Sequence, residues 1–247
     1  MNKNSINKIL RKFGFEVHGT GYIQSVQKSS FKEDAFQKQV ELLAGDAVTI
    51  FDAGANFGDT VLHYHQLYPQ ATIYAFEPFP STYNGMIEKT KNISRLKPYQ
   101  LALSDCTGKS VFYVNKNVDT NSLLPSQKMG LSSDREVEQQ GAIDVALTTI
   151  DTFCLEHGIT EIDILKLDIQ GGELAALKGA AGMLSKRKIK LIYSETYFRA
   201  QYVDQPLFYD IAQLLGKYGY RLQDIYNPIY GKGSIAWCDV IFLPEIL

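Results

Sequence analysis

The chain reads as an α/β layered domain built on a mostly parallel sheet. From residue 46 onward, short β-branched apolar runs alternate with helical stretches, and the early runs end on acidic residues just before a turn. Near the end, YRLQDIY and SIAWCDVIFL follow each other with no helix between them, so they should pair antiparallel. Composition agrees: 247 residues, 45% hydrophobic and 21% charged, exclude disorder, collagen and coiled coil. A chain of this length buries a core without disulfide or structural metal.

Within residues 1–45, Ile6, Ile9 and Leu10 mark one short amphipathic helix, and Phe36, Val40, Leu42 and Leu43 mark a second before Gly45. The polar stretch between them leaves too few apolar residues for a separate core. This region therefore reads as a helical cap or lid on a main domain at 46–247, or as a docking arm. AVTIFD (47–52) is the first strand. It runs into glycines and then a helix bearing Thr60, Val61, His63, Tyr64 and Leu67, stopped by Pro69. ATIYAFEP (71–78) repeats the scheme, with Pro78 ending the run. YQLALSD (99–105) reads as the third strand, and KSVFYVN (109–115), after the turn Thr107-Gly108, as an added antiparallel element. Residues 116–141 are polar and aperiodic, either a mobile lid or local disorder. IDILKLD (162–168) is the fourth core strand. Helix 173–185, the fifth strand KIKLIYSE (188–195) and helix 207–218 follow.

Charge and cysteines narrow the function classes. Lys plus Arg is 25 against 27 for Asp plus Glu, so no global field gathers nucleic acid or anionic lipid. Cys106, Cys154 and Cys238 are scattered and odd in number, which fits a reducing cytoplasm better than a disulfide framework. The positive N-terminus breaks into charge and glycine before a signal-length apolar run, and no later stretch approaches about 18 apolar residues. The expectation is a cytoplasmic protein that neither crosses a membrane nor binds nucleic acid.

FDAGANFGDT (51–60) is the most informative segment. Gly54 and Gly58 let the backbone turn sharply and lie close to a ligand, with the free N–H groups of a helix start behind them. Asp52 at the strand tip is placed to meet a positive or hydroxyl-bearing ligand group. The spacing is Gly-x-x-x-Gly rather than the dinucleotide fingerprint, which favours a nucleoside without a pyrophosphate. Glu77, 25 positions beyond Asp52, ends the second strand where a carboxylate accepts from both ribose hydroxyls. Asp105, after Ser104 at the end of the third strand, could accept from an adenine amino group. Each acid alone also reads as a cap or turn residue. Three at successive strand tips around a glycine turn point to a nucleoside cofactor site.

FDAGANFGDT, YAFEP, LALSD, LTTIDTF, IDILKLDIQGGELAALKGA and IYSE stand in the order and spacing of the FkbM family of S-adenosylmethionine-dependent methyltransferases, which the chain resembles over about residues 46–243. The resemblance implies a class I methyltransferase (Rossmann-like) fold. That fold has a seven-stranded, mostly parallel sheet with an antiparallel C-terminal strand and helices on both faces. It implies S-adenosyl-L-methionine as cofactor, lined by Asp52, Gly54, Asn56, Gly58 and Glu77, with Ser104 and Asp105 near the adenine. It further implies methylation of a hydroxyl on a sugar, glycan precursor or secondary metabolite. One departure stands out. The family usually reads Lys-[Ile/Met]-Asp-Val-Glu-Gly-x-Glu, whereas this chain has Lys166, Leu167, Asp168, Ile169, Gln170, Gly171, Gly172 and Glu173. If the usual carboxylate is a base or metal ligand, Gln170 impairs catalysis; if it only hydrogen-bonds the cofactor or loop backbone, an amide serves.

Methyl transfer from a sulfonium is an in-line displacement on an already activated electrophile, so the protein mainly aligns the acceptor, excludes water and manages one proton. An alcohol acceptor calls for a general base. Asp168 and Glu195 are the candidates, since both end core strands at the edge where open sheets bind ligands. Their alternative roles are a loop anchor for Asp168 and a partner of Arg199 for Glu195. Tyr197, with Tyr193, Phe198 and Tyr202, could wall an acceptor pocket, and Asn121 and Ser122 could reach in from the long loop. His63 and His65, two apart on a helix, face different ways and form no metal pair; no metal site is read elsewhere. A small-molecule or glycan acceptor is the expected partner, with self-association open. A nicotinamide-dependent oxidoreductase and a non-catalytic assembly module of the same fold are the rival readings.

Overall fold

The computed structural model describes residues 34–44, 49–127, 137–231 and 233–245. Three parallel strands open the sheet: β1 (Thr49–Ala53), β2 (Thr72–Phe76) and β3 (Leu96–Tyr99). On the other side of β1 lie β7 (Ile162–Leu167) and β8 (Ile189–Tyr197), also parallel. β9 (Tyr220–Gly231) and β10 (Ser234–Pro244) complete the order β3-β2-β1-β7-β8-β10-β9, with β10 antiparallel to both its neighbours. The two closing runs thus pair as their sequence requires.

Both faces of this sheet are covered, and neighbouring residues along a strand serve opposite cores. Phe51, Leu165 and Ile192 join Phe153, Leu177, Leu184 and Leu215 on one side. Ile50, Ile164 and Leu191 join Val61, Tyr64 and Met86 on the other. A strand buried on both faces reads as a nearly continuous apolar run, which is why IDILKL was legible. The second face carries α1 (Ala35–Leu42), α2 (Asp59–Leu67) and α3 (Pro80–Thr90). Phe36 of α1 stacks on His63 at 4.3 Å, and the Tyr64 hydroxyl donates to Gln39 Oε1 at 3.0 Å. This is the helix expected before Gly45, and it belongs to the compact unit Ala35–Leu247. The earlier helix expected at Ile6–Leu10 lies outside the described residues.

The first face carries α4 (Ile150–His157), α5 (Glu173–Lys178), α6 (Ala181–Ser185) and α7 (Phe208–Lys217). The single helix expected over 173–185 is therefore two. At the break, a Cβ on Gly179 would run into the Ser104 carbonyl oxygen, so backbone passes backbone there. Asp151 caps the restart, accepting from Gly182 N at 2.6 Å and Met183 N at 2.9 Å.

The third strand is a correction. In the main sheet it is Leu96–Tyr99, an edge strand containing Pro98, rather than the run 99–105. Ala102–Leu103 (β4) instead joins a separate sheet, β4-β6-β5, with β5 (Gly108–Asn115) and β6 (Gln139–Thr148). β5 is the added antiparallel element foreseen, while β6 occupies ground partly read as loop. A 3-10 turn, Val118–Thr120, and residues 121–127 follow β5. No helix among the described residues is long and apolar enough to cross a membrane.

Candidate active site

The register of β1 against β7 sets Asp52 opposite Lys166, and their side chains form an ion pair at 2.9 Å with both groups almost wholly buried. Lys166 Nζ also donates to the Gly54 carbonyl at 3.1 Å and lies 3.8 Å from Asp168 Oδ2. Burial alone would push the lysine pKa down. The carboxylates of Asp52, Asp168 and Glu195 outweigh it and hold the ammonium charged, above its ordinary value. Asp52 thus does not line the cavity itself. It is fully buried beneath the loop, and it is Lys166 that lines the cavity above.

The loop over this pair turns at Gly54, with φ of +77°, where a Cβ would strike the Asp168 carbonyl oxygen. Only glycine fits both the left-handed angle and the contact. Asn56 follows, also at positive φ, and its backbone N–H donates to Glu77 Oε2 at 2.9 Å. Phe79 N–H donates to the other oxygen, Oε1, at 2.9 Å. Glu77 is thereby fixed at the tip of β2 with lone pairs to spare on each oxygen. Burial raises its pKa, and these backbone donors oppose the rise. Gly58 lies off the cavity wall and serves as the N-cap of α2.

The cavity at the carboxyl ends of β1, β2, β7 and β8 has a volume of about 380 Å³. One wall is apolar, formed by Leu101, Leu103, Phe112 and Leu123. At the other end stand Asp168, Gln170 and Glu195. Residues 101–103 line it, while Ser104 and Asp105, expected near the adenine, are not on its wall. Ser104 N–H is locked to Thr148 O at 2.9 Å in the small sheet, and Asp105 is exposed. Asn121 does line the cavity: its Oδ1 accepts from Asn115 N–H at 2.7 Å, and its buried Nδ2 has no partner among the described residues. Ser122 is a strut rather than a wall residue, donating from Oγ to the Gln170 carbonyl at 2.6 Å. Tyr197 is also set behind the wall, its hydroxyl 2.6 Å from Glu195 Oε2.

Gln170 ties this end together. Its Nε2 donates to Asp168 Oδ1 at 3.0 Å and Glu195 Oε2 at 2.8 Å, while Oε1 accepts from the Tyr197 and Tyr202 hydroxyls, each at 3.0 Å. Burial pushes the Glu195 carboxyl well up, and the charge of Asp168 adds to the rise. Glu195 keeps no ion pair with Arg199, whose guanidinium donates instead to Ser234 Oγ. Lys166 and Asp119, in the turn Val118–Thr120, whose carboxylate accepts from Asn56 Nδ2 at 2.7 Å, carried no reading of their own in the sequence, whereas Gln170 stood out only as a departure from the family pattern. A lysine inside a run as apolar as IDILKL was a usable signal, because a buried charge demands a partner.

A nucleoside cofactor fits these residues. Glu77 presents spare acceptors, the Asn56 side-chain oxygen is buried without a partner, and the apolar wall suits a flat base. Sheet order and site together define a class I, S-adenosylmethionine-dependent methyltransferase. The chain belongs to the FkbM methyltransferase family: residues 52–222 match the family model described as Methyltransferase FkbM domain. Among curated relatives, it is 28% identical over 193 residues to the 2-O-methyltransferase NoeI of Sinorhizobium fredii, covering 76% of each chain. It is 24% identical to the 31-O-demethyl-FK506 methyltransferase FkbM of Streptomyces tacrolimicus, covering 64% of this chain and 69% of that one. Among solved structures, it superposes on the crystal structure of methyltransferase FkbM from Methylobacillus flagellatus with a TM-score of 0.50 at 15% identity. That match covers 78% of this chain and 43% of the other, so the chain spans less than half of that protein.

Proposed function

We propose that this methyltransferase transfers its methyl group to a hydroxyl of an uncharged, sugar-like or related secondary-metabolite acceptor, with Asp168 as the general base. The observation that carries the reading is the Asp168 carboxylate. It stands at the tip of β7 on the cavity wall, 43% exposed, its Oδ1 held by the Gln170 amide and its Oδ2 3.8 Å from Lys166. The relatives NoeI and FkbM, both named for transfer to oxygen, support an oxygen acceptor.

Bound S-adenosylmethionine supplies a methyl group on a sulfonium, already activated for displacement. Glu77 and the loop from Gly54 to Asn56 would hold it. Asp168 accepts the acceptor's hydroxyl proton at its carboxylate as the new bond forms, and Lys166 balances the charge beneath. The wall carries the acids Asp59, Glu77, Asp119, Asp168 and Glu195 against Lys166, with Asp59 paired to Lys89 and Glu195 pushed toward its neutral form by burial. That field favours a cationic donor and disfavours phosphorylated or carboxylated acceptors. Balanced charge and reduced cysteines further support a cytoplasmic enzyme acting away from nucleic acid.

Calorimetry against S-adenosylmethionine, S-adenosylhomocysteine and NAD tests the donor, with binding of the first two expected. Binding of NAD alone would sink the reading. A mass-gain screen for one methyl, run on neutral glycosides and on sugar phosphates in parallel, tests the acceptor. The reading expects products among the neutral compounds; methylation confined to the phosphates contradicts it.

A further inference from the structure

Every polar atom of the Gln170 side chain is spent. The amide nitrogen faces two carboxylates, Asp168 and Glu195, and the amide oxygen faces two phenols, Tyr197 and Tyr202. The flipped rotamer would set a carbonyl against both acids, so the partners fix the orientation. The backbone is held just as firmly. Gln170 sits at φ of +54°, an unfavourable region for a residue with a side chain, its carbonyl bonded by Ser122 and its neighbour Gly171 also at positive φ. The Tyr202 hydroxyl is also within 2.9 Å of Thr120 O, which links this knot to the strap over the cavity.

We infer that Gln170 is the positioning residue of the acid pair: its amide orients Asp168 and Glu195 from one nitrogen and thereby sets where Glu195 takes up its proton. This rests on the reading of Asp168 as base. The groups that face the pair come from every adjoining element. They are Lys166 on β7, Asp52 on β1, Glu173 at the start of α5, Tyr197 on β8, Asp239 on β10 and Tyr202 beyond β8. Among these the lysine is the sole cation. A carboxylate in place of the amide would add a third acid and remove both donors, and the cluster could shed the strain only by holding a further proton.

The test is a carboxyl-band infrared titration of enzyme saturated with S-adenosylhomocysteine, carbon-13 labelled at Asp and Glu. At pH 7 the Gln170→Glu variant should gain one protonated carboxyl over the wild type. Gln170→Met, which deletes both donors and adds no acid, should move the Glu195 midpoint to higher pH by at least one unit. Calorimetric affinity for S-adenosylhomocysteine within about threefold of wild type shows that either variant is folded. Bands unchanged in folded variants overturn the inference, because a purely structural glutamine would alter stability and leave the titration where it was. No turnover is needed, so a mistaken base assignment is seen separately, as Asp168→Asn enzyme that still methylates.

Discussion

Lys166 decides how the site fails. Removing Asp52 leaves a buried ammonium without its main counter-charge, which typically costs about 3–5 kcal/mol. Asp52→Ala should therefore lower the unfolding free energy by that order in urea titrations and abolish cofactor binding by calorimetry, although Asp52 is not on the cavity wall. Glu77→Ala should abolish binding with a smaller stability loss, about 1–3 kcal/mol, because it orphans the N–H groups of Asn56 and Phe79. Asp168→Asn is expected to cut turnover at least about 100-fold with cofactor affinity retained; full turnover with the true acceptor would exclude it as base. At this scale the sequence was half legible. Asp52 and Glu77 announced themselves because each closes a β-branched run. The role of Asp52 stayed hidden because its partner lies 114 positions away, and only strand register brings them together.

The element that most shapes access is the strap formed by the turn Val118–Thr120 and the residues after it. Asp119 clips it to Asn56, the Tyr202 hydroxyl reaches Thr120 O, and Ser122 bonds Gln170. The Asn56–Asp119 contact is exposed, so Asp119→Ala should leave the melting temperature nearly unchanged. It should nonetheless release S-adenosylhomocysteine several-fold faster in stopped-flow, and an unchanged off-rate would mean the strap does not gate the cavity. Strands buried on both faces were readable and edge strands were not. β3 alternates weakly around Pro98, and the first half of β6 is exposed, so neither carries the periodicity that marked β1, β2 and β7. That is also why Ser104 and Asp105 fall off the main-sheet edge: the chain leaves the main sheet at Tyr99, six residues before the end of the strand expected over 99–105.

For the molecule as a whole, pH is the sensitive variable. Glu173 is buried at the start of α5, and desolvation raises its pKa from the ordinary 4.5 to about 7, against the backbone donors of Ile169 and Gly171. The folded state thus binds a proton that the unfolded chain has already released. Stability from this group is present below about pH 4.5 and is lost as pH rises through about 7, a span worth roughly 3 kcal/mol. Melts between pH 5 and 8 should therefore fall for the wild type and run flatter for Glu173→Gln; parallel curves would refute it. Fold and donor were legible at this scale because several linked motifs repeat one strand–turn geometry. The acceptor was not, since its contacts come from the strap and from knots such as Gln170, which no periodicity marks.

The chain has one tryptophan, Trp237 on β10, whose register partner is Tyr197 and whose indole lies 6.4 Å from that ring. Tyr197 in turn touches Glu195 and Gln170. Intrinsic emission excited at the indole band is consequently a label-free optical gauge of the reaction end of the cleft, uncontaminated by any second fluorophore of its kind. Every variant named above can be followed by it in real time, before a single acceptor has been identified.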